Sequence, residues 1–277
     1  MIEIGILKAG YGLDHNGFIV SDVSKDKIAD VYATCIHESI ESLKHLFHQH
    51  LYSVYVYGSV ARGEAIAIKS DLDLIAMFNT KLSSDKLAEL KKLAGELSNN
   101  YRFIVRDVGI AVAYYDYTLD PSNYYENAFL KELCVCVYGE DLGERFGPYQ
   151  LTSEIAIRFN GDINEVLNRT LTRLTTASGE DFKKITQSFA RKLIRTYYSM
   201  VMERSQIWTT RLHEQSEVFL HHFPEKESII RTLLNWIDEP PTDHKAVYEL
   251  FKIEGEWAGA NFTNEANIPY KANGGFS

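Results

Sequence analysis

The segment VYVYGSVARGEAIAIKSDLDLIAMF, Val54–Phe78, constrains the fold of this chain more than any other part of its sequence. It begins and ends with a short apolar run rich in β-branched and aromatic residues, and such runs predict two buried strands. Between the runs lie Gly58 and Ser59, and then two aspartates separated by one leucine, Asp71 and Asp73. A carboxylate pair beside a buried strand requires a physical explanation.

Strand geometry places the two aspartates together. Side chains at positions i and i+2 lie on one face of a strand, so Asp71 and Asp73 project from one face while Leu72 and Leu74 point into the core. Two adjacent carboxylates repel each other unless a cation or a proton lies between them. Because Mg²⁺ is commonly held by one or two carboxylates together with substrate phosphates, the pair predicts a divalent-metal site.

The Gly58-Ser59 step predicts the other half of such a site. Glycine has no side chain and lets the backbone approach a ligand closely. The N–H groups at the start of a helix that follows favour a phosphate group. We therefore expect a phosphate-binding turn beside the carboxylate pair.

The rest of the first half predicts a mixed sheet with helices packed against it. Apolar residues at helical spacing predict one helix capped by Ser24 and another capped by Ser83 or Ser84. The long apolar stretch YRFIVRDVGIAVAYYDY, which Asp107 interrupts, predicts one straight or bent strand. A short helix and a strand at 133–139 complete the set.

In the second half of the chain, the signals for strands fade and helical periodicity dominates, as in the apolar stripe between Ile185 and Val201. The predicted fold class is therefore α+β, a mixed-sheet core followed by an all-helical domain. The predicted catalytic domain is 1–147, with an N-terminal hairpin at 1–23. A helical acceptor-binding bundle at 148–262 and an irregular tail at 263–277 follow.

The acidic charge of the chain excludes one broad class of function. Residues 1–150 hold 14 basic and 21 acidic residues, a net charge of −7, and residues 151–277 contribute −2. A protein that coats nucleic-acid phosphates needs a basic surface, so we expect no nucleic-acid partner. The amino terminus lacks signal-peptide features, and no window approaches eighteen uninterrupted apolar residues. We expect a cytoplasmic protein with no membrane partner.

The Gly-Ser pair and the aspartates also carry a resemblance to a known family. The segment GSVARGEAIAIKSDLDL has eleven residues between Gly-Ser and Asp-Leu-Asp, and it resembles the signature of the DNA polymerase beta type nucleotidyltransferases. In that family the Gly-Ser segment binds the nucleoside triphosphate, the two aspartates hold metal, and a third carboxylate comes from a later strand. Asp107, an acid within an apolar stretch, matches the third carboxylate.

The resemblance implies transfer of a nucleoside monophosphate from a nucleoside triphosphate to an acceptor, with pyrophosphate leaving. It implies Mg²⁺, as two ions, and favours ATP as the nucleotide and AMP as the transferred group. Asp71, Asp73 and Asp107 are the predicted catalytic and metal-binding residues. Two roles are open to Asp107: completion of the metal shell, or general-base removal of the proton from an acceptor hydroxyl.

The predicted nucleotide-binding residues are Gly58, Ser59, Arg62 and Ser70. For Arg62, a phosphate contact and a solvent-facing position in a first helical turn are equally good interpretations. Arg106 precedes the third carboxylate by one residue, so in a regular strand it is expected on the opposite face, at the surface.

The helical second half bears on the acceptor. A nucleotidyltransferase core followed by a helical domain resembles the aminoglycoside adenylyltransferases, most of all the streptomycin/spectinomycin type. That type has a Ser-Lys pair at the start of a helix where this chain has WTTR, so only Arg211 stands at that place. The resemblance favours a small-molecule acceptor such as an aminoglycoside, and hence antibiotic resistance. The alternatives are a protein-modifying nucleotidyltransferase, antitoxin-like or regulatory, and a catalytically silent nucleotide-binding module.

Overall fold

The computed structural model describes residues 7–271. This part of the chain divides into two compact units. We call residues 20–149 the sheet unit, and residues 7–19 together with 150–271 the helical unit.

Within the described residues, the sheet unit holds one four-stranded mixed sheet, in the order β3-β2-β1-β4. Strand β1 is antiparallel to both β2 and β4, whereas β2 and β3 are parallel. The strands are β1 (Leu51–Tyr57), β2 (Leu72–Phe78), β3 (Val108–Tyr114) and β4 (Cys134–Gly139). The predicted mixed sheet is confirmed.

Five helices accompany the sheet in the described part of this unit: α1 (Ala33–Phe47), α2 (Gly58–Arg62), α3 (Ser84–Asn100), α4 (Tyr115–Leu119) and α5 (Tyr124–Leu133). The prediction of a cap for α3 is confirmed, because the hydroxyl of Ser83 accepts the N–H of Lys86. The predicted cap for α1 is wrong. The side chain of Ser24 makes no capping hydrogen bond, and two short 3₁₀ turns precede α1.

The stretch predicted as one long strand divides into three parts. Residues 101–104 form a turn, β3 begins only at Val108, and α4 follows directly after Tyr114. The turn comes directly after α3. It is closed by the N–H groups of Ile104 and Val105, which both donate to the carbonyl of Tyr101. Composition shows which residues favour a strand, but not where pairing with β2 begins.

The two faces of the sheet pack against different elements. On β2, one set of alternate side chains packs with α1 and α3 in the larger core: Leu72, Leu74, Ala76 and Phe78. The other set, Ile75 and Met77, packs with Leu130 of α5. We call this second side the α5 face. Because side chains alternate along a strand, Asp73 projects on the α5 face.

The described residues of the helical unit contain α6 (Ser153–Asn160), α7 (Ile163–Leu174), α8 (Gly179–Ser205), α9 (Leu212–His222), α10 (Glu227–Asp238) and α11 (His244–Ala266). The longest of them, α8, is central, because the five others all pack against it. The predicted helical second half is therefore confirmed. None of the helices in residues 7–271 combines the length and the apolar character that crossing a membrane requires.

The N-terminal segment differs from the prediction, which assigned 1–23 to the catalytic domain. The predicted turn is present, since the carboxylate of Asp14 accepts the N–H groups of Asn16 and Phe18. However, residues 7–19 group with the helical unit. This N-terminal segment bonds to the loop after α8, where the N–H of Trp208 donates to the carbonyl of Tyr11 over 2.9 Å. Residues 1–6 and 272–277 of the predicted hairpin and tail lie outside the described residues.

A buried polar network joins α8 to α11. Glu254 is 5% exposed and accepts the hydroxyl of Tyr197 over 2.5 Å. The ammonium group of Lys226 donates to the same carboxylate oxygen over 2.7 Å and lies 4.1 Å from the ring centroid of Trp257. The buried carboxylate therefore has both a cation and a hydroxyl as partners.

Candidate active site

Two glycines form a close-fitting cradle around the carboxylate of Asp73. Gly58 begins α2 with a φ of +74°, and a methyl group there would lie 2.7 Å from Oδ2 of Asp73. On the other side, Gly109 is the β3 partner of Asp73, and a methyl group there would lie 3.5 Å from Oδ1. The positive φ and the short approach both favour glycine at position 58. The Gly-Ser turn thus meets Asp73, one of the two aspartates of the predicted pair.

Asp71 stands just before β2 and is paired with Arg106. Nε of Arg106 donates to Oδ1 of Asp71 over 2.9 Å, and the other guanidinium nitrogen donates to Oδ2. The side chains remain 41% and 30% exposed for Arg106 and Asp71, respectively. The hydrogen bonds that Arg106 donates to Asp71, and then the negative charges of Asp71, Asp107 and Asp73, raise the pKa of Arg106. All three predicted carboxylates therefore act on one cation.

The prediction that Arg106 lies on the opposite face is wrong. Residue 106 precedes the first residue of β3, so strand alternation does not apply to it. Its backbone N–H donates to the carbonyl of Ser70, which holds it beside the start of β2. Sequence alone offers one signal for this contact, which is an arginine next to an acid that the signature already singles out.

Asp107 is fixed by the C-terminal end of α3. Its Oδ1 accepts the hydroxyl of Ser98 over 2.5 Å and the N–H of Val108 over 3.0 Å. The backbone of Asp107 also pairs with β2, because its carbonyl accepts the N–H of Leu72. Ser98, which the sequence analysis did not identify, therefore orients the third carboxylate.

The other predicted nucleotide-binding residues lie in α2 and in the loop between α2 and β2. Ser59 lies in α2, and its carbonyl accepts the N–H of Glu64. Nε of Arg62 donates to the carboxylate of Glu64 over 3.0 Å, so the guanidinium is held by a neighbour in the same turn. The hydroxyl of Ser70 accepts the N–H of Ile66 over 2.9 Å and closes the loop that leads into β2.

The donor set fits a divalent cation. Carboxylate oxygens are the ligands that Mg²⁺ prefers, the cradle fixes one carboxylate, and the guanidinium of Arg106 now takes the place of a cation on the other. Within residues 7–271, however, no three His, Cys, Asp or Glu side chains are grouped closely enough to hold a metal ion. Metal binding by Asp71, Asp73 and Asp107 therefore stays a prediction.

A cavity of about 240 Å³ lies on the α5 face of the sheet. Its lining includes Ile75, which follows Asp73 on that face of β2, and Tyr57, the β1 partner of Asp73. Helix α5 supplies Phe129 and Glu126 to the opposite wall. The sequence analysis did not identify this cavity, since its walls come from segments far apart in the chain.

Comparison with known proteins supports the resemblance to nucleotidyltransferases. Residues 36–112 match the family model described as a nucleotidyltransferase domain. No curated protein matches the chain by sequence. Among solved structures, the chain is similar to spectinomycin adenyltransferase AAD(9) from Enterococcus faecialis, solved with ATP and spectinomycin. That similarity has a TM-score of 0.52 and 12% identity, over 82% of this chain and 98% of the other.

At 12% identity the similarity to that structure concerns the fold alone. The family match is more specific, because residues 36–112 contain the Gly-Ser turn and all three aspartates. The predicted resemblance is confirmed. Residues 36–112 are therefore similar to nucleotidyltransferase domains of the DNA polymerase beta type.

Proposed function

We propose that the chain transfers a nucleoside monophosphate, AMP from ATP, to a hydroxyl group of a small-molecule acceptor such as an aminoglycoside antibiotic. The nucleotidyltransferase domain supports the reaction class. The fold similarity to a spectinomycin adenyltransferase supports a small-molecule acceptor. The observation that carries the proposal is the cradle of Gly58 and Gly109 around Asp73, because it holds one carboxylate of the signature pair where the Gly-Ser turn begins.

In this proposal Asp71 and Asp73 hold Mg²⁺, two ions when the nucleotide is present. When bound there, the metal would neutralise charge on the triphosphate and align it for in-line attack. Gly58 keeps the space beside Asp73 open, and the turn from Ser59 to Ser70 faces the phosphates. Arg106, once released from Asp71, supplies a positive charge next to the same group.

The chemical step exchanges one bond to phosphorus for another. The acceptor oxygen forms a bond to the α-phosphorus, the bond from that phosphorus to the bridging β-oxygen breaks, and pyrophosphate leaves with its electron pair. The proton of the acceptor hydroxyl goes to a carboxylate. Asp107, which Ser98 and Val108 orient, is the residue we assign either to this proton or to the metal shell.

The test is incubation of the protein with Mg²⁺ and ATP labelled at the α-phosphate, with an aminoglycoside panel or with a cell lysate. We expect label on a small molecule and an equal amount of pyrophosphate. Asp73→Asn is expected to abolish transfer, whereas Asp85→Asn, at an exposed position in the first turn of α3, leaves it unchanged. Label on a protein band would instead identify a protein-modifying enzyme. ATP binding without transfer to any acceptor would identify a silent module.

The same assay separates the two roles of Asp107 when metal binding is measured beside it. If Asp107 takes the proton, Asp107→Asn binds Mn²⁺ as wild type does but transfers no label. If Asp107 completes the metal shell, the variant loses both Mn²⁺ affinity and transfer. Ser98→Ala is expected to weaken transfer more mildly, because it removes the hydroxyl that orients the carboxylate but not the carboxylate itself.

A further inference from the structure

The cavity on the α5 face lies between the sheet and α5. Its floor consists of small side chains on β3, where Ala111 and Ala113 follow Gly109 on alternate positions. Larger residues at these positions would fill the space between the sheet and α5. The hollow therefore results from the same run of small residues that leaves room beside Asp73.

The walls of the cavity are apolar and aromatic. The rings of Tyr57 and Phe129 meet edge to face with their centroids 5.4 Å apart, and Tyr125 packs on Phe129 at 5.5 Å. Thr118 adds a hydroxyl, but this group already donates to the sulfur of Met77. Glu126 is the one charged side chain among the described lining residues, and it is partly buried.

Size and chemistry together define the class of ligand. Apolar cavities of about 150 Å³ bind benzene, so about 240 Å³ is enough for a bicyclic ring. Aromatic walls favour a flat ring that makes stacked or edge-on contacts. A polycationic sugar would find one carboxylate here and otherwise apolar surface, which does not repay its desolvation.

We propose that this cavity binds an aromatic or heteroaromatic ring of a substrate and holds it next to the Asp71–Asp73 pair. The ring belongs either to the base of the nucleotide or to the acceptor, because both must lie near the α-phosphate during transfer. The assignment of the ring to a substrate rests on the proposed function, whereas the binding site itself does not. A ring seated between Ile75 and Phe129 would fix the orientation of the group that carries it.

The test uses adenosine and indole as probes in ligand-observed NMR, with the alanine methyl groups of the protein labelled for direct contacts. In the wild type we expect saturable binding and nuclear Overhauser contacts from both probes to the methyls of Ala111 and Ala113. Ala113→Leu is expected to weaken binding at least tenfold. Ala88→Leu, at an exposed position on α3, adds the same side chain elsewhere and should leave binding unchanged.

Competition in the wild type then identifies the source of the ring. If ATP displaces indole and inorganic tripolyphosphate does not, the cavity takes the nucleotide base. If ATP binds without displacing indole, it takes the ring of the acceptor. No saturable probe binding, or contacts only outside the cavity, would overturn the proposal. None of these measurements needs turnover, so failure here is distinct from failure of the transfer reaction.

Discussion

At the scale of single residues, the site is defined by what each carboxylate contacts. Asp73 is enclosed by glycine backbone, Asp71 is paired with a guanidinium, and Asp107 accepts a serine hydroxyl. The three aspartates therefore have different neighbours although one signature predicts them all. Their partners, more than their own identities, determine what must move when a cation binds.

The pair between Arg106 and Asp71 competes with metal, and this leads to a first prediction. Arg106→Gln removes the competing cation, so Mn²⁺ binding in the absence of nucleotide should become about two- to fivefold tighter, as expected for a pair exposed to solvent. Isothermal titration with Mn²⁺ measures the dissociation constant. The matched control is Arg158→Gln, which breaks an exposed pair with Glu154 on α6. Equal or weaker Mn²⁺ binding by Arg106→Gln would contradict the competition.

The cradle around Asp73 leads to a second prediction. Gly58→Ala places a methyl group 2.7 Å from Oδ2 of Asp73 at a positive φ, so it should lower the free energy of unfolding by about 1–3 kcal/mol. It should also reduce transfer at least tenfold, because the carboxylate must shift.

Gly95→Ala is the control for this change. Position 95 lies on an exposed part of α3, and no neighbouring atom lies within 4 Å of an added methyl. This variant should therefore raise the free energy of unfolding by about 0.5–1 kcal/mol. Urea denaturation and the transfer assay check both variants. Full activity of Gly58→Ala would show that the cradle is dispensable.

Much of the site could be predicted because its signature is local in sequence. Gly58, Asp71 and Asp73 lie within one hairpin of β1 and β2, where strand alternation and the Gly-Ser turn determine their neighbours. Arg106 could not be predicted, since its position depends on where pairing of β3 begins. Ser98 and the cavity depend on how α3 and α5 pack on the sheet, which periodicity does not specify.

At the scale of elements, the network between α8 and α11 is the clearest case of mutual dependence. Glu254 can remain buried because Lys226 and Tyr197 both contact its carboxylate. The apolar stripe of α8 predicted the helix itself but not this partner. The polar residue that completes the network lies in a 3₁₀ turn before α10, and no periodic pattern identifies it.

Removal of the cation from that network is the third prediction. Lys226→Met leaves a buried carboxylate without its positive partner and should lower the free energy of unfolding by about 3 kcal/mol. Adding Glu254→Gln should recover much of this loss, since the uncompensated charge is then gone. Urea denaturation of the double-mutant cycle measures the coupling.

The control for the network is Lys183→Met, which breaks an exposed pair with Glu180 at the start of α8. It should lower the free energy of unfolding by less than about 1 kcal/mol. Additive effects of Lys226→Met and Glu254→Gln would show that the two groups do not support each other.

At the scale of the whole molecule, each unit contains a buried or half-buried group, and the two groups respond to pH in opposite directions. In the sheet unit, burial raises the pKa of Glu132 to about 7, and this residue is 3% exposed. In the helical unit, burial and then the charges of Arg204 and His221 lower the pKa of His222 to about 4. The imidazole of His222 shares a 2.8 Å hydrogen bond with the hydroxyl of Ser205.

The fourth prediction follows from the sign of these shifts. Glu132 binds its proton more tightly in the folded state than in the unfolded state. Its contribution to the free energy of unfolding is therefore complete below pH 4.5 and is lost as pH rises through about 7, by about 3 kcal/mol in all. Glu132→Gln should therefore remove part of the loss of stability of the sheet unit between pH 4.5 and pH 7. Calorimetric unfolding at several pH values measures this, and an unchanged pH profile would contradict it.

In the same experiment, His222 changes the stability with pH in the opposite direction. Its folded pKa lies below the unfolded value of 6.5, so its contribution is present above pH 6.5 and is lost as pH falls towards 4. His222→Gln should flatten the rise in stability of the helical unit between pH 4 and pH 6.5 and leave the fall in stability of the sheet unit between pH 4.5 and pH 7 unchanged. A change in the pH profile of the sheet unit would show that the two groups do not act separately.

The position of residues 7–19 in the helical unit has a consequence for the chain as it is synthesised. Tyr11 bonds to Trp208, so its partner emerges from the ribosome roughly 10–40 s later at 5–20 residues per second. The sheet unit lies wholly between these two points and has its full sequence first. The sheet unit can thus fold before the partner of residues 7–19 has been synthesised.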